Sequence, residues 1–146
     1  MKNILLALEL KENDTPLVKQ AVTMATKFSS KVWLIHIAAP DPDFVGYGVG
    51  PKYIRDARAD TLKTEHKQLQ QHMLHFEKEG IACEALLIAG PTVNTLAQEV
   101  KKLAVDLLII GNKKHGFLYE TFVGNTTKQI IEELAIPLLL VPIQKG

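Results

Sequence analysis

The chain has 146 residues, a formal net charge of +1 and a single cysteine, Cys83. Its length is typical of one domain, here residues 1–146, with a full hydrophobic core. One cysteine excludes an internal disulfide and fits a reducing, cytoplasmic compartment. The near-neutral charge gives no electrostatic reason to expect nucleic acid or an anionic membrane surface as a partner. No apolar run approaches the ~20 residues of a membrane-spanning helix.

Strands and helices alternate from the start of the chain. The apolar run Asn3–Leu8 has no period of two, which is typical of a strand covered on both faces. Asp14 precedes a threonine and a proline, so it is a candidate N-cap for a helix that ends near Phe28. Val32–Ala38 predicts a second strand, and the glycine- and proline-rich segment Pro40–Pro51 predicts a loop.

The second half of the chain continues this alternation. A long polar helix is predicted from Lys52 to Glu79, and Gly80 is suited to end it. Next come a strand at Cys83–Ile88, a helix from about Thr92, a strand at Asp106–Ile110, a helix opening at Gly124 and a strand at Leu138–Val141, closed by Pro142. Buried strands alternating with amphipathic helices predict an α/β fold with a doubly wound parallel sheet and helices on both faces. Ligands of such sheets bind beyond the carboxyl ends of the strands, where the strand order reverses.

The last third of the chain carries the pattern of a phosphate site. The apolar run that ends at Ile110 stops at a glycine, a basic glycine-bounded loop follows, and a second glycine opens a helix. Free backbone N–H groups and the helix dipole favour an anion at such a helix start. The residues of this pattern are Gly111, Lys113, Lys114, Gly116, Gly124, Asn125, Thr126 and Thr127.

These features together resemble the universal stress protein family, over the whole chain. The resemblance lies in the opening strand, the Val-Asp-Leu-Leu-Ile-Ile-Gly run, the glycine loop and the ending Ile-Pro-Leu-Leu-Leu-Val-Pro. It implies a five-stranded parallel sheet in the order 3-2-1-4-5, of the adenine nucleotide alpha hydrolase-like kind. It also implies homodimers that pair through the C-terminal strand. One branch of the family binds ATP and another does not.

The nucleotide-binding branch carries Gly, two residues, Gly, nine residues, Gly, and then Ser or Thr. Gly111 and Gly124 match the first and third glycines with this spacing, but Lys114 takes the second position and Asn125 the Ser/Thr position. Glu9 stands where the binders have an aspartate at the end of the first strand. Lysine can pair with phosphate, and asparagine can donate a hydrogen bond to it. We therefore expect ATP, with Mg²⁺, or another adenine nucleotide to bind.

The resemblance also implies where each part of the nucleotide lies. The adenine would be near Ala7, Leu8 and the backbone of Ile37, and the ribose near Glu9 and Gly111. The phosphates would lie against Lys113, Lys114, Gly124, Asn125, Thr126 and Thr127, with Ile110 and Gly116 completing the candidate site.

Two other functions stay open. Lys114 and Asn125 could mark a lapsed motif, in which case the chain is a dimeric interaction module that binds no nucleotide. A nucleotide-cleaving enzyme shares this architecture, but the sequence shows no Ser-His-Asp elbow, no P-loop and no acid–base pair. We therefore expect at most slow ATP hydrolysis.

The histidines outside the glycine loop are expected to be structural. His36 falls within the second strand and is expected to be packed. His66, His72 and His75 fall on the long helix, where a solvated face is the simpler interpretation than a metal site.

Overall fold

The computed structural model describes residues 1–10, 14–38, 52–113 and 124–143, with the side chains of residues 57–111 and 128–143 in the last two ranges. Nine elements alternate along these residues. They are β1 (Asn3–Ala7), α1 (Thr15–Phe28), β2 (Lys31–Ala38), α2 (Lys52–Lys78), β3 (Cys83–Ala89), α3 (Thr92–Lys102), β4 (Leu107–Lys113), α4 (Gly124–Leu134) and β5 (Leu138–Ile143).

The five strands form one parallel sheet in the order β3-β2-β1-β4-β5. The sequence prediction of this order is confirmed. The chain moves from β1 outward through β2 to β3, and then crosses to the other side of β1 for β4 and β5. The strand order therefore reverses between β1 and β4, which is the position where such sheets bind ligands.

Two hydrophobic layers cover the two faces of the sheet. Helices α1 and α2 pack on one face, where Leu6 is fully buried with Leu17 of α1 and Phe76 of α2. Helices α3 and α4 pack on the other face, where Leu5 is buried with Leu96 of α3. Adjacent residues of β1 thus face opposite layers, and each buried Leu or Phe contributes roughly 1.5–3 kcal/mol to folding.

Strand β4 is longer than the sequence predicts. The expected loop at Gly111 is wrong, because β4 stays paired with β5 through Gly111–Val141 as far as Lys113–Ile143. Gly111 does not have a positive φ. A Cβ at this position would overlap Cδ1 of Ile143 and lie 3.4 Å from Cδ1 of Leu17. Close packing beneath α1 therefore favours glycine here independently of any ligand, since a larger residue would displace the Ile143 side chain.

Strand β5 includes Pro142, which the sequence suggested as its end. The Leu108 N–H donates to the Pro137 carbonyl at 3.1 Å, and Leu108 pairs with Leu138. Because bonding alternates along a parallel ladder, the backbone groups of Leu138, Leu140 and Pro142 point away from β4. A proline is tolerated in this outward phase, since its missing N–H removes no bond to β4.

Candidate functional site

The sheet opens between its two halves at the carboxyl end. Pairing of β1 with β4 runs only from Ile4–Leu107 to Leu6–Ile109. Beyond that point β4 continues with β5, while the Leu8 N–H donates to the Ile35 carbonyl of β2 at 2.9 Å. The chain after β1 thus follows β2 and leaves β4. The β1–β4 ladder therefore ends at the position where the strand order reverses, and doubly wound sheets bind ligands in a crevice at such a position.

One wall of the crevice is apolar. Ala7, Ile37 and Ile110 all belong to the layer beneath α3 and α4, and they come from the three neighbouring strands β1, β2 and β4. Ala7 and Ile37 are half-buried, whereas Ile110 is 7% exposed. The structure therefore brings together Ala7 and Ile37, which were predicted for the adenine end, and Ile110, another residue of the candidate site, on one face of the sheet.

Leu8 and Glu9 leave the sheet in different ways. The Leu8 side chain is buried in the opposite layer, beneath α1 and α2. Its N–H bonds to β2, and its carbonyl accepts a hydrogen bond from Nδ1 of His36 at 2.8 Å. A ligand contact by Leu8 would therefore use the second lone pair of that carbonyl. Glu9 is exposed at the start of the turn that follows β1.

The predicted phosphate end is described in part. Lys113 is the last residue of β4, and Gly124 is the first residue of α4, as predicted. Asn125, Thr126 and Thr127 therefore occupy the first turn of α4, whose backbone N–H groups have no partner within the helix. Lys114 and Gly116 lie outside the described residues.

Asp14 holds the turn after β1. The sequence suggested an N-cap, but the Asp14 side chain makes no capping bond to α1. Its carboxylate instead accepts the Leu10 N–H at 2.8 Å and a further backbone hydrogen bond from Glu9. Leu10 has a φ of 62°, which is unfavourable for a residue with a side chain, so this turn needs such support.

Burial dominates the electrostatics of Asp14. Desolvation raises its pKa above 3.8, although the backbone bonds from Leu10 and Glu9 and the nearby His72 oppose the shift. Desolvation also lowers the pKa of His72 below 6.5, with the Asp14 charge opposing that change. His72 therefore lies half-buried beside the Asp14 carboxylate, and the expectation that it belongs to a solvated face is wrong for this histidine.

Two further side chains of α2 reach the same turn. Glu65 bonds through Oε2 to Nε2 of His36, whose other ring nitrogen bonds to Leu8. Gln68 Nε2 lies 3.5 Å from the Leu10 carbonyl. His36 is packed, as expected, but no sequence pattern directly indicates that both of its ring nitrogens are hydrogen-bonded. One indication was present in the sequence. His36 alternates with Val32 and Leu34, so it lies on the face of β2 that packs against α2, and polar residues of that helix face it.

The described residues contain no group of three or more His, Cys, Asp or Glu side chains that could hold a metal ion. His66 and His75 are exposed on α2, as expected for a solvated helix face. In the same part of the chain, no helix is long and apolar enough to cross a membrane.

Comparison with known proteins identifies the family. The sequence model of the Universal stress protein family matches residues 1–142. The chain belongs to the universal stress protein family. It is 25% identical over 122 residues to the Universal stress protein A-like protein of Arabidopsis thaliana, covering 76% of this chain and 66% of that protein. It is 24% identical over 147 residues to Universal stress protein Sll1388 of Synechocystis, covering 94% and 96% of the two chains.

Solved structures of this family share the fold. The structure of the hypothetical protein MJ0577 superposes with a TM-score of 0.77 at 17% identity, over 99% of this chain and 98% of that chain. A universal stress protein in complex with cAMP gives 0.66 at 14% identity, over 96% and 95%. An Arabidopsis thaliana family member with AMP bound gives 0.61 at 18%, over 97% and 92%. The expected adenine nucleotide alpha hydrolase-like fold is confirmed.

Titration of His72 should make this family member less stable in mild acid. Since the folded-state pKa of His72 lies below 6.5, its contribution to stability is present above pH 6.5 and is lost as the pH falls from 6.5 through the lower folded-state pKa. Asp14, whose pKa is raised, has the opposite sign and acts in the more acidic range around and above pH 3.8. We expect His72→Gln to reduce the fall in the free energy of unfolding between pH 7.5 and 5, measured by urea denaturation.

The matched control is His66→Gln, which removes an exposed histidine from the same helix. If the His72→Gln and His66→Gln variants lose stability equally over this range, the electrostatic role assigned to His72 is wrong.

Proposed function

We propose that this universal stress protein binds an adenine nucleotide, ATP with Mg²⁺, in the crevice between β1 and β4, and acts as a homodimer in a regulatory or protective response to stress. The separation of β1 from β4 at their carboxyl ends, beyond Leu6–Ile109, is the observation that carries the proposal. Relatives of the same fold have been solved in complex with cAMP, dAMP and AMP.

The layout of the crevice suits the two ends of a nucleotide. The purine would lie against the apolar wall of Ala7, Ile37 and Ile110. The ribose would lie near Glu9, at the start of the turn. The phosphates would meet Lys113, Lys114 and the first turn of α4, from Gly124 to Thr127, where helix N–H groups and positive charge favour an anion. Mg²⁺ would arrive as the counter-ion of the phosphates, a common mode of binding for this ion.

A second candidate function is a dimeric module of the same fold that binds no nucleotide. The packing of Gly111 against Ile143 favours it, because this contact accounts for the first glycine of the motif without a ligand. The lysine at position 114, where nucleotide binders have glycine, points the same way. ATP binding distinguishes the two functions.

Calorimetric titration with ATP tests the nucleotide site. We expect one ATP per protomer, and we expect Ala7→Val to weaken binding by about tenfold, or ~1.4 kcal/mol, because the added methyl groups narrow the purine end of the crevice. The matched control is Ala89→Val, which makes the same change at the carboxyl end of the edge strand β3.

Absence of ATP and AMP binding by the wild-type protein would favour the module without nucleotide. Equal losses in the two alanine variants would place the nucleotide outside the crevice. Adenine absorbance in the supernatant of heat-denatured protein would provide independent support for binding.

The homodimer is proposed to form through the free edge of β5. The outward backbone groups of Leu138 and Leu140 are available for a second strand, and Leu140 is 37% exposed. With a two-fold axis at Leu140, the N–H groups of both leucines would meet carbonyls of an antiparallel copy, and Pro142 would contribute only its carbonyl. Exposed apolar surface at Ile131 of α4 would be available to extend such an interface.

Removal of the Leu140 N–H, which points away from β4, tests this interface. Leu140→Pro removes the central donor without affecting the ladder to β4, so sedimentation velocity should show a monomer. Leu140→Ala, which keeps the N–H, should remain a dimer. A monomeric wild-type protein would contradict the proposed homodimer, and a dimeric Leu140→Pro variant would place the interface on another surface.

A further inference from the structure

Helix α2 supports the turn after β1 in addition to Asp14. Three residues at spacings of three and four along one face of the helix reach it: Glu65 through His36, Gln68 directly, and His72 beside Asp14. From α1, the N-cap residue Asp14 contributes its carboxylate, which accepts the Leu10 N–H.

We propose that His36, held by Glu65, is a positioning residue that fixes the Leu8 carbonyl and the following turn, so that the purine end of the site is set by α2. The part of this proposal that concerns the ligand rests on the proposed function. The part that concerns the turn does not, since it follows from contacts within the protein.

The hydrogen-bonding chemistry defines the state of the pair. A carbonyl only accepts, so Nδ1 of His36 must carry a hydrogen and donate it to Leu8. Nε2 and the Glu65 carboxylate then share one more proton, either as imidazolium and carboxylate or as imidazole and carboxyl. In both arrangements the pair is neutral overall, and the imidazole is held in one orientation with its N–H on Leu8.

The pair is maintained at an energetic cost. The side chain of His36 is 12% exposed and that of Glu65 is 19% exposed. Oε1 of Glu65 is buried and receives no hydrogen bond from the described residues. A buried oxygen without a partner is unfavourable, and a hydrophobic side chain would fill this space more cheaply. A role in holding the turn explains why a carboxylate lies here.

The consequence for a nucleotide is confined to one end of the site. Leu8 follows Ala7, whose side chain forms the purine wall, and Glu9 begins the turn beside the proposed ribose position. The proposed phosphate contacts come from the end of β4 and the start of α4, whereas the hydrogen bonds of this network join β2, α2 and the turn after β1. Loss of the His36–Glu65 pair should therefore weaken the binding of a nucleotide but not the binding of an inorganic polyphosphate.

The experiment compares Glu65→Met, which keeps the volume but not the hydrogen bond, with Glu65→Gln, whose amide can donate to Nε2 of a neutral His36. The control is Glu77→Ala, which removes an exposed carboxylate from the same helix. In the protein without ligand, we expect Glu65→Met to accelerate hydrogen exchange of the Leu10 amide by about tenfold or more. Glu65→Gln and Glu77→Ala should stay close to the wild type.

Each variant is then titrated with ATP and with inorganic tripolyphosphate. We expect Glu65→Met to weaken ATP binding by about tenfold while leaving the affinity for tripolyphosphate unchanged. Glu65→Gln should retain most of the wild-type affinity for ATP. Equal losses for the two ligands, or unchanged ATP affinity, would overturn the positioning role. If the wild-type protein binds neither ligand, the proposed function fails, and the exchange rate of Leu10 alone decides whether the pair holds the turn.

One measurement needs no variant. A long-range ¹⁵N–¹H spectrum of the wild-type protein should show His36 protonated at Nδ1, with slow exchange of that hydrogen. An unprotonated Nδ1 would overturn the proposal whether or not Glu65→Met folds.

Discussion

The central strand β1 pairs with β2 along its whole length but with β4 only as far as Leu6, and the candidate site depends on this difference. Beyond Leu6, β4 remains bound to β5 and the chain after β1 remains bound to β2. Ala7 and Ile110, from the two strands whose pairing ends there, lie in the same apolar layer. The proposed site therefore lies where the hydrogen-bond ladder between β1 and β4 ends.

The two ends of the crevice rely on different physical effects. The proposed purine end would combine an apolar wall with a backbone turn that accepts support from Asp14 on one side and from the His36–Glu65 pair on the other. The proposed phosphate end would begin at Lys113 and at the first turn of α4, where positive charge and helix N–H groups favour an anion. Separate control of the two ends would let a protein of this fold keep one function while changing the other.

Most of the fold could be predicted from local patterns, because buried strands and amphipathic helices leave periodic signals within a few residues. The alternation of elements and the helix start at Gly124 follow from such signals. The length of β4 could not be predicted, since Gly111 resembles a loop residue until Ile143 is known to pack against it. The hydrogen bonds of His36 were missed for a similar reason: its partner Glu65 is 29 residues away in the chain.

Amide chemical shifts during titration with ATP test the crevice most directly, because they report the position of a ligand without any mutation. The largest shifts should occur at the carboxyl ends of three strands, at the amides of Ala7, Ile37 and Ile110. The absence of any saturable shift up to millimolar ATP would contradict a nucleotide site between β1 and β4. So would a pattern in which the largest shifts occur at the amino ends of the strands, near Asn3 and Lys31.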